Sequence, residues 1–305
     1  MATTTSTPTL TPEQVYRQNK RSPWRIFTET GWRHIVGLAA LVFALFPIVF
    51  VVSASVNQAG NLTGSTEIFQ SFTLDNYKAL FDDPSRPYGK WFLNTLYIGG
   101  VVAIGTVFMC ACAAYAFSRF RFKGRRSGLL GLILLQMFPQ LLAYIAIFLL
   151  LASLQNVFPA IGLDSQLGLI MVYLGGALGV NTFLMYGFFN TVPRELDESA
   201  KIDGASHAQI FFGIILRLVT PILVVIGLLS FIATLNEFLI ASLVLTDPDK
   251  QTLAVGLYKF VSQKFSENWG VFTAGAILGA IPVVLLFQFL QKYIVGGLTA
   301  GAVKG

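Results

Sequence analysis

The sequence predicts an all-α protein, a polytopic membrane helix bundle with six transmembrane helices. Three observations predict it. Hydrophobic residues make up 54% of the 305 and the mean hydropathy is +0.67, more than a soluble domain of this length needs. Six apolar stretches, at residues 35–56, 91–118, 128–153, 167–190, 218–245 and 270–294, each reach the roughly 20 residues that cross about 30 Å of hydrocarbon. The basic residues then alternate between connections. Arg17, Lys20, Arg21, Arg25 and Arg33 precede the first stretch, Arg119, Arg121, Lys123, Arg125 and Arg126 follow the second, and Arg194, Lys201 and Arg217 follow the fourth. The remaining connections carry only Lys78, Arg86, Lys90, Lys250, Lys259 and Lys264, so the positive-inside rule puts both termini in the cytoplasm. The net charge of +6 is therefore a topology signal, and the basic run at 119–126 reads as an anchor to anionic lipid before it reads as a nucleic-acid site.

Two regions follow: a cytoplasmic N-terminal tail at 1–33 and a transmembrane domain at 34–305. The first dozen residues are Thr, Ser and Pro with little apolar content and are expected to be disordered. Trp24, Ile26, Phe27 and Trp32 among arginines suggest an interfacial segment. The first span is too long for a signal-peptide core and reads as a retained anchor. Residues 57–90 form a polar, turn-rich outside connection, either a small lid or a docking surface. The Asn61-Leu62-Thr63 sequon is short enough to arise by chance.

The second span carries Gly99, Gly100, Gly105, Ala111, Ala113, Ala114 and Ala116, small residues that let helices approach closely in a bilayer. The run at 174–179, LGGALG, is expected to do the same in the fourth. Pro139 and Pro282 lie inside the third and sixth spans and are expected to kink them, whether to line a cavity or merely to pack. Cys110 and Cys112 sit two apart on one helix and face nearly opposite ways, so neither a disulfide nor a metal site follows, and both read as buried small apolar residues. His34 and His207 stand apart from other ligand types and read as structural or surface residues. Asn236 and Glu237 are the polar exception in the fifth span. A charge at mid-bilayer costs at least ~3 kcal/mol on insertion scales, so Glu237 is expected to face the bundle interior, a partner or water.

The segment 191–221 is the polar stretch suited to being gripped by another protein. The Thr191 hydroxyl is placed to cap a helix, Pro193 to fit its first turn, and Glu195, Asp197 and Glu198 to put negative charge at its positive end. Helical spacing groups Leu196, Ser199, Ala200 and Asp203 on one small-residue face and sends Glu195, Glu198 and Lys201 elsewhere. Gly204 interrupts the helix. Ala208, Phe211, Phe212 and Ile215 then follow apolar i, i+3, i+4, i+7 spacing.

Glu198, Ser199 and Ala200, followed by Gly204 and by Ile214-x-Leu216, resemble the coupling loop of binding-protein-dependent ABC importer permeases. That loop usually reads E-A-A, three residues, G, nine residues, I-x-L-P. Ser199 replaces the second Ala, and Arg217 stands where Pro is expected, with Pro221 as a substitute bend. QMFPQLLAYIAIF, VYLGG, ELDESAKIDGAS, LSFIATLNEFLIASLVL, QTLAVGL and the terminal GLTAGAVKG further resemble the second permease subunit of maltose/maltodextrin importers, from Val36 to the end.

The resemblance implies a type I ABC importer permease fold in a bacterial cytoplasmic membrane. It implies a MalF-like second permease subunit, two copies of an ABC ATPase subunit holding ATP and Mg, and an extracytoplasmic sugar-binding protein. Glu198, Ser199, Ala200, Gly204, Leu196 and Pro221 would couple to the ATPase. Ser262, Gln263, Lys264, Phe265, Ser266, Glu267 and Asn268 would form the loop that enters the binding protein. Thr299, Ala300 and Gly301, within a C-terminal tail at 296–305, would reach the ATPase interface. Membrane-bound maltose would be contacted chiefly by the partner subunit. This chain would carry no catalytic residue, metal or cofactor of its own, and the phosphate-binding pattern G-x-x-x-x-G-K-[ST] is absent from it.

The function expected is a permease subunit of an ATP-driven sugar importer, forming half of the pathway for maltose or maltodextrin. The alternatives are a permease for another oligosaccharide such as trehalose, or an ion-coupled secondary transporter. The last needs intramembrane ionisable groups and usually an internal repeat, whereas Glu237 is nearly alone. A membrane enzyme needs clustered His, Asp or Ser-Lys groups, which the spans lack, and a passive channel leaves 191–221 unexplained.

Overall fold

Long apolar runs give helices, and the interruptions in those runs decide which stay straight. The computed structural model describes Trp24, Phe27 and residues 31–58, 68–262 and 269–302, with side chains in the last helix as far as Tyr293. In chain order the helices are α1 (Trp32–Val56), α2 (Asp75–Asp82), α3 (Tyr88–Arg119), α4 (Arg125–Gln136), α5 (Gln140–Gln155), α6 (Gln166–Gly175) and α7 (Gly179–Thr191). They continue as α8 (Arg194–Ile202), α9 (His207–Leu218), α10 (Thr220–Asn236), α11 (Leu239–Val244), α12 (Leu253–Ser262) and α13 (Trp269–Ala302). No strand occurs among the described residues.

The chain forms two compact units, residues 1–53 and 54–305. In the first, the described part of α1 exposes apolar side chains such as Leu38, Val42 and Phe43, which suits a lipid-facing surface. In the second, α3 is the central post. It packs against α10, α7, α6 and α12, while α13 packs on α10, α12 and α2. The small residues of α3 serve the close approach expected of them: a Cβ on Gly105 would stand 2.7 Å from Leu174 Cδ2 of α6, so a larger residue there would push that leucine aside. In the outside connection, Asn76 of α2 donates to the carbonyls of Ser55 and Asn57 at 3.0 Å each. Leu80 of α2 is fully buried with Trp91 and Leu257.

Helices α1, α3 and α13 are each long and apolar enough to cross a membrane, and three bent pairs add up to three more spans. The bends are sharper than kinks. α4 and α5 meet at 90°, α6 and α7 at 56°, and α9 and α10 at 79°. Pro139 does break the third apolar stretch, since it cannot donate an N–H to a continuing helix; Met137 and Phe138 tighten the end of α4 onto the carbonyls of Leu134 and Leu135. Pro282, by contrast, lies inside the unbroken α13.

The LGGALG run departs from the expectation of packing alone: residues 176–178 interrupt the helix there, consistent with the weak helix propensity of paired glycines. Gln136 of α4 bridges the interruption, donating to the Gly176 carbonyl at 3.3 Å and accepting from the Val180 N–H at 3.1 Å. A broken helix at membrane depth needs such a partner for its freed backbone groups. Gly179 makes room for it, because a Cβ there would lie 2.1 Å from Gln136 Cδ. The fifth stretch also ends early. α10 stops at Asn236, and Glu237 adopts extended backbone with φ −73° and ψ 119° before α11.

Candidate coupling element and membrane cavity

The coupling element starts two residues later than the sequence suggests. Thr191 is the last residue of α7, and its hydroxyl donates to the Phe188 carbonyl at 2.8 Å, so it does not cap α8. Pro193 takes the N-cap position without a side-chain cap. The start is fixed from the neighbouring helices instead. Arg119, at the end of α3, places Nε 2.7 Å from Asp197 Oδ2, with only 5% and 9% of the two side chains exposed. Arg119 Nη2 also donates to the Val192 carbonyl at 3.1 Å, and Arg194 donates to the Ser118 carbonyl at 3.1 Å. Ser118 Oγ donates to Asn190 Oδ1 at 3.2 Å. Asp197 is thus a structural ion-pair partner, beyond the helix-dipole role its position suggests.

This anchoring turns α8 relative to the expected face. Ala200 is 9% exposed and joins a core cluster with Tyr115, Phe189, Ile210 and Ile215, so it packs inside its own chain. At about 100° per residue, Asp197 and Ala200 inward set Ile202 and Glu195 pointing outward, flanked by Leu196, Ser199 and Glu198. Ile202 is 86% exposed and Leu196 41%. The face free to meet another protein is therefore Leu196, Ser199 and Ile202 among Glu195 and Glu198, which had been assigned elsewhere.

α8 closes by a Schellman motif. The Gly204 N–H donates to the Lys201 carbonyl at 3.0 Å and the Ala205 N–H to the Ala200 carbonyl at 2.9 Å, with Gly204 at φ +84°. That left-handed angle is what asks for glycine; no neighbouring atom lies within 4 Å of a Cβ built there. α9 opens at once with a capping box, Ser206 Oγ accepting from the Gln209 N–H at 3.3 Å and the Ser206 N–H donating to Gln209 Oε1 at 2.8 Å. The spacing Ser206-x-x-Gln209 was a legible signal that the motif reading passed over.

Inside α9 a π-helical turn spans Phe211–Ile215. It puts Ile210, Phe211 and Ile215 in the core and leaves Ala208 and Phe212 exposed, where uniform spacing had put Ala208 and Phe212 on the apolar face. Arg217 sits in the last turn of α9 and is exposed, a position where a cation favours the helix dipole. The bend falls at Val219, and Pro221 occupies the first turn of α10, where its missing N–H costs nothing.

A second feature is a cavity of about 850 Å³ lined by parts of α3 to α7, α10 and α11, including Gln136, Gln140, Tyr144, Tyr173, Asn181 and Glu237. Glu237 is half-buried and occupies the gap between α10 and α11. Its Oε2 accepts from the Tyr173 hydroxyl at 2.6 Å and the Ala241 N–H at 3.0 Å, and its Oε1 from the Ile240 N–H at 2.8 Å. The carboxylate therefore caps α11, satisfying N–H groups that a helix start leaves open. Asn236 is exposed and donates to the Ile232 carbonyl at 2.9 Å. Cys110 is buried, but Cys112 is exposed: the opposite faces follow from their spacing, whereas the burial expected of both holds for Cys110 alone.

The loop before α11's neighbour α12 is pinned from across the chain. Asp164 Oδ1 accepts from the Thr246 and Asp247 N–H groups at 2.6 and 2.8 Å, and Oδ2 from the Thr246 hydroxyl at 2.6 Å. Burial alone would raise the Asp164 pKa, but these donors, with Lys250 nearby, hold it below the usual carboxylate value. Ser262 ends α12, and Gln263, Lys264, Phe265, Ser266, Glu267 and Asn268 lie outside the described residues, as does most of the N-terminal tail. Thr299, Ala300 and Gly301 continue the backbone of α13, which runs to Ala302, with side chains outside the described set. No group of three or more metal-ligating residues occurs among the described residues.

The fold is that of ABC importer permeases. It aligns with a chain of a bacterial ABC transporter involved in the import of the acidic polysaccharide alginate, with a TM-score of 0.73 and 23% identity over 90% of this chain and 98% of that one. A second alginate ABC transporter structure, in complex with an alginate pentasaccharide-bound periplasmic protein, gives 0.65 and 16% over 89% and 96%.

The chain belongs to the family of binding-protein-dependent transport system inner membrane components, whose model matches residues 89–299. It is 41% identical to the galactooligosaccharides transport system permease protein GanQ of Bacillus subtilis (strain 168), over 87% of this chain and 92% of that protein. It is 40% identical, with the same coverage, to the maltodextrin transport system permease protein MdxG of the same organism. With the maltose/maltodextrin transport system permease protein MalG of Escherichia coli (strain K12) it shares 36% over 89% and 95%. The resemblance to maltose-type permeases drawn from the motifs agrees with these relatives.

Proposed function

We propose that this chain is the permease subunit of an ATP-driven sugar importer, forms half of the path for a maltodextrin-like oligosaccharide, and couples that path to a separate ATPase. The observation that carries the reading is the α8–Gly204–α9 element. It exposes Ile202 and Leu196 on a helix otherwise polar, in the segment whose motif resembles a coupling loop, and an apolar side chain left open on such a helix suits burial by a partner. Relatives named for maltodextrin, maltose and galactooligosaccharides support a sugar as cargo.

Six spans result if each bent pair crosses once, and the basic connections then put both termini and the coupling element on the cytoplasmic side of a bacterial inner membrane. The partners are a MalF-like second permease subunit, two copies of an ABC ATPase with ATP and Mg, and an extracytoplasmic binding protein. Ser262 and residues 263–268 meet that binding protein, and Thr299, Ala300 and Gly301 approach the ATPase.

The test is co-purification followed by uptake in proteoliposomes. The pure subunit is expected to show no ATP hydrolysis, and the assembled complex to take up labelled maltodextrin with ATP. Shortening 262–268 is expected to spare assembly and basal hydrolysis while reducing uptake. Hydrolysis by the pure subunit, or unimpaired uptake after the deletion, would overturn those parts.

A further inference from the structure

The cavity beside Glu237 has polar groups that the fold does not use. Most of its lining is apolar, and most of its polar side chains are spent on structure: Glu237 caps α11 and Tyr173 donates to Glu237. Gln140 and Tyr144 differ. They stand four residues apart in α5, so they share one face. Both line the cavity, and neither the Gln140 amide nor the Tyr144 hydroxyl makes a hydrogen bond among the described residues. Asn181 spends one amide hydrogen on the Ala177 carbonyl at 3.1 Å, which leaves its side-chain oxygen open. Glu237 Oε1 accepts one bond where a carboxylate oxygen has two lone pairs. An aromatic ring with unspent donors and acceptors around it is what a sugar needs: a flat surface for its C–H face and partners for its hydroxyls. At about 850 Å³ the space falls in the ~300–1,000 Å³ range of pockets that bury small ligands.

Charge narrows the class. Among the described residues Glu237 is the one carboxylic acid lining this cavity, and no Lys, Arg or His lines it. A uronate would bring its own charge into a low-dielectric site whose described lining offers no cation to offset it, whereas a neutral sugar offers hydroxyls to the Glu237 carboxyl.

The geometry points to a sugar-contacting subsite within this chain, in which the Tyr144 ring and the Gln140 amide, with the carboxylate of Glu237, hold an uncharged oligosaccharide during passage. It rests on the importer reading and adds to it that the membrane-bound sugar touches this subunit and not its partner alone.

The experiment uses the complete permease–ATPase complex in detergent, with saturation-transfer NMR of a neutral maltooligosaccharide and of an oligouronate of equal length. No binding protein is added, so its own selectivity does not enter. Gln140→Leu and Tyr144→Phe keep size and make an apolar wall more apolar, so a merely structural wall tolerates them. The wild type is expected to show transfer to the neutral sugar and none to the uronate. The double variant is expected to lose roughly tenfold in affinity for two lost hydrogen bonds, with ATPase recovery unchanged. Equal transfer from both sugars, an unchanged double variant, or ATP-driven uptake by a wild type that shows no transfer would overturn the subsite. Absence of any ATP-driven sugar uptake by the wild-type complex in proteoliposomes supplied with its binding protein would instead overturn the importer reading.

Discussion

Arg119 at the end of α3 and Asp197 in α8 form a buried ion pair at 2.7 Å, which ties the candidate coupling element directly to the helix around which the second unit is packed. A buried pair contributes less than its Coulomb attraction suggests, because both charges lose hydration, but removing one partner strands the other at a cost of about 3–5 kcal/mol. Arg119→Ala is therefore expected to release α8 while leaving membrane insertion intact. The check is a pull-down of the ATPase together with limited proteolysis near Arg194: capture should fall and cleavage rise. Capture equal to wild type with no added cleavage would show that the pair does not position α8.

Gly204 separates a backbone requirement from a packing one. A Cβ at this position has no atom of the chain within 4 Å, so a substitution is penalised through φ +84° and not through a clash. A non-glycine residue in that region costs roughly 1–2 kcal/mol, less for Asn. Gly204→Val is expected to lose ATPase retention and uptake, whereas Gly204→Asn retains most of both. Equal loss in both variants would point to a partner backbone pressed against the glycine.

Gln136 and Gly179 are expected to behave as one unit. Gly179→Ala alone forces Gln136 off the broken helix and is expected to lower the thermal midpoint. In a Gln136→Ala background the same change should cost less, with a coupling of about 0.5–3 kcal/mol in a double-mutant cycle. Additive effects would mean the bridge contributes nothing.

Asp164 gives a pH signature. Its folded-state pKa is depressed by Thr246, Asp247 and Lys250, so its contribution to stability is present above the unfolded value of about 3.9 and is lost as pH falls through the folded value. Asp164→Asn is expected to lower the thermal midpoint of the detergent-solubilised protein at pH 6, and the difference from wild type should shrink below about pH 4. A gap that is constant with pH would remove the charge from the account.

Hydropathy made the apolar stretches legible because an apolar run reads the same whether its helix is straight or bent. For that reason it concealed the breaks: Pro139 announced one, but the paired glycines at 175–176 read equally as close packing, and the bridge from Gln136, forty-odd residues away, is displayed by no local pattern. Glu237 was marked as costly within a span, and its actual position explains how the cost is met, since the helix ends and the carboxylate caps the next. In the coupling element the glycine and the order of helices were readable from local chemistry. The rotation of α8 was not, because it follows from Asp197 meeting Arg119. Ile202 occupies one of the three unspecified positions of the motif and was overlooked, although one isoleucine at the end of a polar helix is itself a signal. The π-helical turn in α9 shifted the apolar face because uniform 3.6-residue spacing does not hold across it.

In the proposed function this chain transmits ATP hydrolysis by other subunits into sugar passage through α8. The most direct measurement is labelled maltodextrin uptake into proteoliposomes carrying the wild-type complex, or the complex with Ile202→Asp in this chain, with ATP supplied or replaced by an ion gradient. The wild type is expected to show ATP-dependent uptake and none from the gradient alone, and the variant to lose both ATPase retention and uptake. Gradient-driven uptake without ATP, or full ATP-driven uptake with Ile202→Asp, would contradict it.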